Sequence, residues 1–199
     1  MREFKGLLIG DAGVGKDSIL NRLIDNHFPL TVSTIGAAFR IKYYPNAKLS
    51  FWNTSGQRRY KEVIKLYFRN TDVCIIVYDI SSKESFDNCK FWLNYFRTNE
   101  IKENSPTHEL SMNRAKIYIL ANKIDLPTSQ ELNNRIELLH EYAKSENIIP
   151  GIVSAKTSEG ITDFFDTIMS NLMGIETPKD LIEMDRVPVI SQNCHCIIS

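Results

Sequence analysis

The stretch FKGLLIGDAGVGK, residues 4–16, determines the fold expected for this 199-residue chain. Residues 4–9 form an apolar run that predicts a buried β-strand. The glycine-rich turn that follows leads into residues 16–25, where apolar side chains recur at the spacing of one helix face. A strand, a glycine-rich turn and a helix in this order indicate an α/β domain.

The turn itself matches the pattern G-x-x-x-x-G-K of a phosphate-binding loop (P-loop, residues 10–16). Its glycines let the backbone curl so that successive N–H groups point at an anion, and the following helix adds the positive end of its dipole. Lys16 supplies a point charge to the β- and γ-phosphates of a nucleotide. By composition the pattern arises by chance in roughly one chain in twenty of this length, so its position between strand and helix supports the assignment.

Strands and helices alternate along the rest of the chain. The further predicted strands cover residues 38–44, 48–52, 73–78, 116–120 and 152–154, and the further predicted helices cover residues 85–97, 131–144 and 161–173. Pro45, Asn46 and Ala47 join the second and third strands as a hairpin, and Thr128 with Glu131 forms a capping box. We therefore expect the three-layer α/β fold of P-loop nucleoside triphosphatases, with a six-stranded, mostly parallel sheet, one antiparallel edge strand, and helices on both faces.

The composition narrows the class of protein. Because 24 basic side chains balance 24 acidic ones, neither nucleic-acid binding by bulk positive charge nor an acidic disordered chain is expected. The length suits one domain, which we place at residues 1–173, with an extended tail at residues 174–199. No apolar run approaches the roughly 18 residues of a membrane span. The cysteines form no disulfide framework and indicate a reducing compartment; they are Cys74, Cys89, Cys194 and Cys196.

A second chemical signal follows two later strands. The first part is the motif N-K-x-D, formed by Asn122, Lys123, Ile124 and Asp125. It stands at the carboxyl end of a parallel strand, where a carboxylate can accept two hydrogen bonds from the N–H and NH₂ edge that guanine has and adenine lacks. The motif alone is weak, because Asn and Asp are common in loops. It is joined after the last strand by Ser154, Ala155 and Lys156, and with the P-loop these segments favour a guanine nucleotide.

With these motifs the chain resembles the small GTPases of the Ras superfamily over residues 3–173, and within them the Rab family most closely. The segments that carry the resemblance are IGAAF at 35–39 (switch I), KLSFW at 48–52, YFR at 67–69 (the end of switch II), VYDI at 77–80, ESFDN at 84–88, and Trp92 with Leu93. A kinase with a P-loop is set aside, since N-K-x-D and the switch segments serve a guanine switch. The resemblance implies GTP and GDP as ligands, with Mg²⁺.

The resemblance also implies individual roles. Phosphate binding is implied for Gly10, Asp11, Ala12, Gly13, Val14, Gly15, Lys16, Asp17, Ser18, Thr34 and Gly56. Guanine binding is implied for Phe28, Asn122, Lys123, Asp125, Ser154, Ala155 and Lys156. Thr34 would also reach Mg²⁺, and Gln57 would be the catalytic residue that orients the attacking water. Without the resemblance, Phe28 would be interpreted as a core aromatic and Thr34 as a loop residue.

Two positions depart from the family pattern. Asp17 stands where a Ser or Thr hydroxyl binds Mg²⁺, and Asn53 stands where a carboxylate holds the ion. A carboxylate at 17 suits Mg²⁺, and Asn53 could act through a bound water, so Asp17, Thr34 and Asn53 are the candidate metal residues. If no ion is bound, Asp17 faces the β-phosphate, and two unit charges 4 Å apart repel by about 4 kcal/mol at an effective dielectric of 20. We therefore hypothesise altered Mg²⁺ dependence and slow hydrolysis.

Arg58 is a third departure, because an acidic residue is usual there in the family. A solvated arginine at a helix start and an arginine finger acting within the chain are the two interpretations. Asn99 to Arg114 forms a polar stretch with Pro106, which is either a surface loop or an insertion that binds a partner.

The chain ends Cys194-His195-Cys196-Ile197-Ile198-Ser199, which matches a C-a-a-X prenylation signal with serine at X. Cys196 is the candidate lipid site and Cys194 a candidate second one. A chance apolar end or a short Cys-x-Cys metal motif is the alternative, although two thiolates do not complete a tetrahedral site. The tail holds two basic and four acidic residues, so lipid rather than charge would attach it to a membrane.

Taken together, the sequence predicts a Rab-like GTP/GDP switch that hydrolyses GTP slowly and regulates vesicle traffic. The resemblance implies that it is monomeric and lies at the cytosolic face of a membrane. Exchange factors, GTPase-activating factors and effectors at both switches are its implied partners; nucleic acid is not. The alternative function is a lipid-anchored GTPase-like scaffold that binds nucleotide weakly or never hydrolyses it.

Overall fold

The computed structural model describes residues 1–29, 34, 36–100 and 115–175. Within them, six strands form one sheet in the order β2-β3-β1-β4-β5-β6. The strands are β1 (Arg2–Ile9), β2 (Ala37–Tyr44), β3 (Ala47–Thr54), β4 (Val73–Asp79), β5 (Lys116–Asn122) and β6 (Ile149–Ile152). Only the edge pair β2 and β3 is antiparallel, which confirms the predicted sheet.

Helices cover both faces of this sheet. They are α1 (Lys16–Asp25), α2 (Lys61–Lys65), α3 (Lys83–Asp87), α4 (Cys89–Asn99), α5 (Ser129–Glu146) and α6 (Ile161–Met173), with a short 3₁₀ helix at Arg58–Tyr60. Successive side chains of a strand point to opposite faces, so Leu7 joins the core under α4 and α5 while Leu8 joins the core under α1 and α6. Both cores are apolar, and the three-layer fold is confirmed.

The last strand begins three residues earlier than predicted and ends two residues earlier, at 149–152 instead of 152–154. Its sequence IPGI contains proline and glycine, which are poor strand residues, so the local pattern pointed to the apolar residues that follow. Pro150 is tolerated because β6 is an edge strand, paired only with β5. The chain leaves the sheet at Val153 and Ser154 and enters the pocket described below.

The single helix predicted at 85–97 is two helices. Ser82 caps α3, since its hydroxyl accepts a hydrogen bond from the Ser85 N–H at 3.2 Å, and the helix therefore starts earlier. The division falls at Asn88, whose side-chain amide donates to the Asp11 carboxylate at 2.6 Å. The residue between α3 and α4 thus contacts the P-loop, 77 residues away in the chain.

Candidate functional site: a nucleotide pocket

A cavity of about 370 Å³ lies at the carboxyl ends of the parallel strands. Its lining comprises Ala12, Gly13, Gly15, Lys16, Asp17, Ser18, Phe28, Thr34, Thr54, Ser55, Gly56, Gln57, Asn122, Lys123, Asp125, Leu126, Ala155 and Lys156. Predicted phosphate and guanine residues therefore meet in one cavity, although the P-loop and the N-K-x-D motif are more than 100 residues apart in sequence. Gly10, Asp11, Val14, Asn53 and Ser154 do not line it and support residues that do.

The P-loop takes a shape that requires glycine. Gly10 has a φ of +135°, and a Cβ there would overlap the carbonyl oxygen of Val77 on β4. Gly15 has a φ of +96° and directly precedes α1. These positions curl the backbone between β1 and α1, so the helix begins at the cavity wall with its positive dipole end.

Lys16 is 5% exposed at the centre of the loop. Its ammonium donates hydrogen bonds to the carbonyl oxygens of Gly10 at 2.9 Å and Asp11 at 2.8 Å. Burial lowers the pKa of Lys16 to about 8, against the opposing effect of the Asp17 and Asp11 carboxylates. A buried cation held by the loop's own carbonyls is a natural partner for an anion entering the cavity.

The Asp11 side chain points away from the cavity and anchors the P-loop to α4. Its two oxygens accept hydrogen bonds from the Trp92 indole N–H at 2.8 Å and from the Asn88 amide at 2.6 Å. The sequence placed Asp11 among the phosphate-binding residues; the structure shows only its backbone in the loop and its carboxylate on the helix. Periodicity along one segment contains no signal for such a contact.

Asp17, Thr34 and Asn53 form a cluster, here called the Asp17 cluster, beside the P-loop. The part of the cavity next to the P-loop, where phosphate binding is predicted, is called the phosphate end. The Thr34 hydroxyl donates to Asp17 Oδ2, and the Asn53 amide donates to Asp17 Oδ1 at 2.6 Å. Asn53 is buried, and its Oδ1 has no hydrogen-bond partner within the described part of the chain. A carboxylate, a hydroxyl and an unpartnered amide oxygen are hard donors of the kind Mg²⁺ binds, so the residues present fit that ion.

No group of three or more His, Cys, Asp or Glu side chains that could hold a metal occurs among the described residues. The cluster therefore offers Mg²⁺ a single protein carboxylate. This is consistent with how the ion commonly binds nucleotide sites, through one or two carboxylates with substrate phosphates and water supplying the remaining ligands.

The segment after β3 lies directly on the P-loop. A Cβ at Gly56 would overlap the backbone of Asp11 and Ala12, so only glycine allows this approach. The neighbouring Gln57 lines the cavity, and its side-chain Oε1 is buried without a hydrogen-bond partner in the described ranges. Arg58 instead stacks on Phe91, with its guanidinium carbon 4.5 Å from the ring centroid. That contact fits an arginine at the start of a short helix rather than a residue reaching into the pocket.

The part of the cavity formed by the predicted guanine-binding residues, here called the guanine end, is a network of fixed polar groups. Asn122 is 1% exposed; its amide donates to the Val14 carbonyl at 2.9 Å, and its oxygen accepts from the Ala155 N–H at 3.1 Å. The Ser154 hydroxyl donates to Asp125 Oδ1 at 2.7 Å, and the Lys156 ammonium lies 3.6 Å from Asp125 Oδ2. Asp125, whose side chain is 13% exposed, is thereby held at the cavity wall as a partly buried acceptor.

Apolar side chains also line the cavity that Asp125 faces. Phe28 is 43% exposed, so it is a wall of the cavity and not a core aromatic. Leu126, 55% exposed, also lines the cavity and was not predicted, since a leucine after N-K-x-D has no distinctive pattern. Thr54 and Ser55 also line the cavity and were not predicted, because neither belongs to a distinctive sequence pattern.

Lys123 is held by Asp79 at the end of β4. Its ammonium donates to Asp79 Oδ2 at 2.7 Å, and its backbone φ is +69°. Burial raises the pKa of Asp79, but hydrogen bonds from Lys123 and Ser81 outweigh this effect and hold that pKa below its ordinary value. The ion pair fixes the lysine stem, which lines the cavity.

The predicted lipid sites Cys194 and Cys196, and most of the 99–114 stretch, lie outside the described residues. Within the parts that the structure describes, no helix has both the length and the apolar character needed to cross a bilayer.

Comparisons with known proteins identify a family and several relatives that this chain resembles. The sequence profile described as the Ras family matches residues 5–174. The chain is 38% identical over 174 residues to the Ras-related protein Rab-5B of Plasmodium falciparum, covering 84% of this chain and 77% of that protein. It is 32% identical over 217 residues to the GTP-binding protein YPT52 of Saccharomyces cerevisiae, with 94% and 88% covered. It is 35% identical to human Ras-related protein Rab-31, with 84% and 82% covered.

Proposed function

Because this chain belongs to the Ras family of small GTPases and is of the Rab type, we propose that its pocket binds GTP and GDP and switches between them to regulate membrane traffic. The observation that carries this proposal is the convergence of a P-loop lysine and the Asn122–Asp125 guanine network on one cavity. GTP hydrolysis is an activity of the family in general. We propose that this chain hydrolyses GTP slowly.

The guanine end would select the base. Asp125 would accept two hydrogen bonds from the guanine N–H and NH₂ groups, and the Ala155 N–H would face the purine carbonyl oxygen. Phe28 and the Lys123 stem would cover the ring. An adenine ring presents no matching pair of donors to the partly buried carboxylate, so its binding would leave the acceptor sites of Asp125 that face the base without donors, which is costly away from water.

At the phosphate end, Lys16 and the backbone N–H groups of the P-loop would hold the β- and γ-phosphates. Asp17 and Thr34 would hold Mg²⁺ directly, and Asn53 through a water; when bound, this ion neutralises the charge that develops on the phosphates. The Gly56 N–H would sense the γ-phosphate.

Gln57 would orient the attacking water. Its unpartnered side-chain oxygen at the cavity supports this role. Slow hydrolysis is proposed because Asp17 brings a carboxylate, in place of a hydroxyl, next to the reacting phosphates.

The remaining parts of the proposal concern attachment and partners. We propose that residues 1–173 are the GTPase domain and that residues 174–199 are an extended tail with lipid at Cys196, and at Cys194 as a second site. That anchor would place a monomeric switch at the cytosolic face of a membrane. There it would meet exchange factors, GTPase-activating factors and effectors at the two switch segments.

The experiment is to purify the protein, denature it and identify the nucleotide released. Stoichiometric GDP supports a switch that hydrolyses GTP, and stoichiometric GTP shows binding without hydrolysis. An empty pocket contradicts the proposal and favours the alternative, a lipid-anchored scaffold. The observation that supports this alternative is that both oxygens of the Asp17 carboxylate already accept hydrogen bonds from Thr34 and Asn53. Asp125→Ala, purified in parallel, is the reference for a pocket that has lost guanine binding.

A further inference from the structure

Ser55 places a buried hydroxyl on the wall of the nucleotide cavity. The residue is 2% exposed and directly follows β3, between Thr54 and Gly56. Its backbone N–H donates to the Gly36 carbonyl oxygen at 2.7 Å, which continues the antiparallel register of β2 and β3 by one step. The position of Ser55 is therefore set by the edge hairpin of the sheet.

The side chain of Ser55 keeps an unused hydrogen-bond donor. A hydroxyl can donate one hydrogen bond and accept two. Ser55 Oγ accepts from the Gln57 N–H at 3.5 Å, which is a long and therefore weak contact, and its own O–H has no acceptor among the residues that the structure describes. The neighbouring Thr54 differs, because its hydroxyl donates to the Leu8 carbonyl oxygen at 2.9 Å. A buried donor without an acceptor is costly, so the Ser55 O–H is available to a molecule that enters the cavity.

The wall that Ser55 belongs to adjoins the P-loop. The next residue, Gly56, lies so close to the backbone of Asp11 and Ala12 that a Cβ there would overlap it. Ala12 and Gly13 also line the cavity. Ser55 is thus at the phosphate end, where the acceptors on a nucleotide are anionic oxygens and a hydrogen bond from a hydroxyl is charge-assisted.

We propose that the Ser55 hydroxyl contacts the substrate, donating a hydrogen bond to an oxygen of the γ-phosphate, and so favours GTP over GDP. The inference rests on the proposed function, which supplies the nucleotide. A nucleotide whose base lies at the guanine end extends its phosphates toward the phosphate end, with the γ-phosphate last. Ser55 belongs to the segment that also carries Gln57, the residue proposed to orient water at that phosphate, and not to α1.

Loss of this donor should affect the two nucleotides unequally. Hydrogen bonds to an ionised group are about twice as strong as neutral ones, so Ser55→Ala should weaken the binding of a non-hydrolysable GTP analogue by about tenfold or more. GDP lacks the γ-phosphate, and its dissociation constant should change by less than about twofold. The ratio of the two dissociation constants therefore reports the contact.

Titration of the full-length protein with fluorescent GDP and with a fluorescent, non-hydrolysable GTP analogue, both in excess Mg²⁺, measures this ratio. Ser50→Ala removes the same side-chain oxygen from a residue of β3 that does not line the cavity, and as the matched control it should leave the ratio unchanged. Phosphorus NMR of the bound analogue adds a readout that a merely structural role would not move. The γ-phosphorus signal should shift in Ser55→Ala, while the α and β signals stay close to those of the natural protein.

A second variant keeps the test independent of misfolding. Ser55→Cys nearly preserves the shape of the side chain, but a thiol is a weaker donor than a hydroxyl, so its ratio should lie between those of the natural protein and Ser55→Ala. Circular dichroism shows which variants retain their helices, and if Ser55→Ala does not fold, Ser55→Cys is compared with the natural protein alone.

An equal loss of affinity for both nucleotides overturns the inference, because Ser55 would then only support the backbone around Gln57. A natural protein that binds both nucleotides, with a ratio that the Ser55 variants leave unchanged, supports the proposed function and overturns the contact alone. A natural protein that binds neither nucleotide contradicts the proposed function itself, and the contact with it.

Discussion

The two ends of the nucleotide pocket are built on different principles. At the guanine end, Asn122 and Ser154 are buried side chains that position other protein groups, and Asp125 keeps a fixed direction. At the phosphate end, Lys16 and Asp17 are bonded to partners that a ligand would have to replace or join. Recognition of the base is thus pre-organised, whereas binding of the phosphates is an exchange of existing hydrogen bonds.

The largest expected effect is at the guanine end. Asp125→Ala removes a charged acceptor of two hydrogen bonds, each worth about 1.5–3 kcal/mol, so the dissociation constant for GDP should rise by at least about a hundredfold. Titration with a fluorescent GDP analogue measures this change. Glu159→Ala removes a carboxylate on the loop between β6 and α6 that does not line the cavity; it is the control and should bind as the natural protein does. A similar affinity in both variants would show that the base is recognised elsewhere.

Asn122→Ala is expected to act mainly on stability. It leaves the Val14 carbonyl and the Ala155 N–H buried without their partner, at about 1–3 kcal/mol each. Urea unfolding of the nucleotide-free protein should show a loss of roughly 2–4 kcal/mol, which a purely ligand-contacting residue would not cause. An unchanged midpoint would mean that the P-loop does not depend on the guanine end.

Asn88→Ala tests whether the hydrogen bonds to the Asp11 carboxylate stabilise the P-loop. It removes one of the two donors to Asp11, with an expected loss of about 1.5 kcal/mol in stability and about a tenfold faster release of GDP. Stopped-flow release of the fluorescent analogue measures the second quantity. Asn94→Ala, on the exposed side of α4, is the matched control. Equal rates in the two variants would contradict an anchoring role for the Asp11 carboxylate.

The smallest effect concerns Lys123 and its pH dependence. The pKa of Asp79 is lower in the folded protein than its ordinary value of about 3.8, so this group stabilises the fold above that pH, and the contribution is lost as the pH falls through the folded pKa. Lys123→Met keeps an apolar stem and removes the ion pair. It should cost about 1 kcal/mol at pH 7, and this difference should shrink as the pH falls below 3.8 and through the lower folded pKa of Asp79. Urea unfolding at pH 7 and at a series of acidic pH values is the measurement.

The local parts of the site were predictable from the sequence. The P-loop is recognisable in the sequence because its glycines, Lys16 and the adjoining strand and helix are contiguous. The N-K-x-D motif is likewise a short contiguous pattern, directly at the end of a strand. The Asn88–Asp11 and Asn53–Asp17 bonds join positions 77 and 36 residues apart, and no periodicity within one segment encodes them. Thr34 and Phe28 were identified only through the family resemblance. The position of β6 was wrong because Pro150 and Gly151 obscure an edge strand.

Asn122 also constrains the order in which the chain folds. Its hydrogen bond to Val14 spans 108 residues, so it closes only after β5 has taken its place beside β4. Contacts of such sequence separation carry a large loop-closure entropy and form slowly. The P-loop is contiguous and early in the chain, yet the hydrogen bond from Asn122 that stabilises it forms only when β5 has joined the sheet. The appearance of GDP binding during refolding should therefore follow the slowest phase of the sheet, and binding becomes a reporter of complete folding.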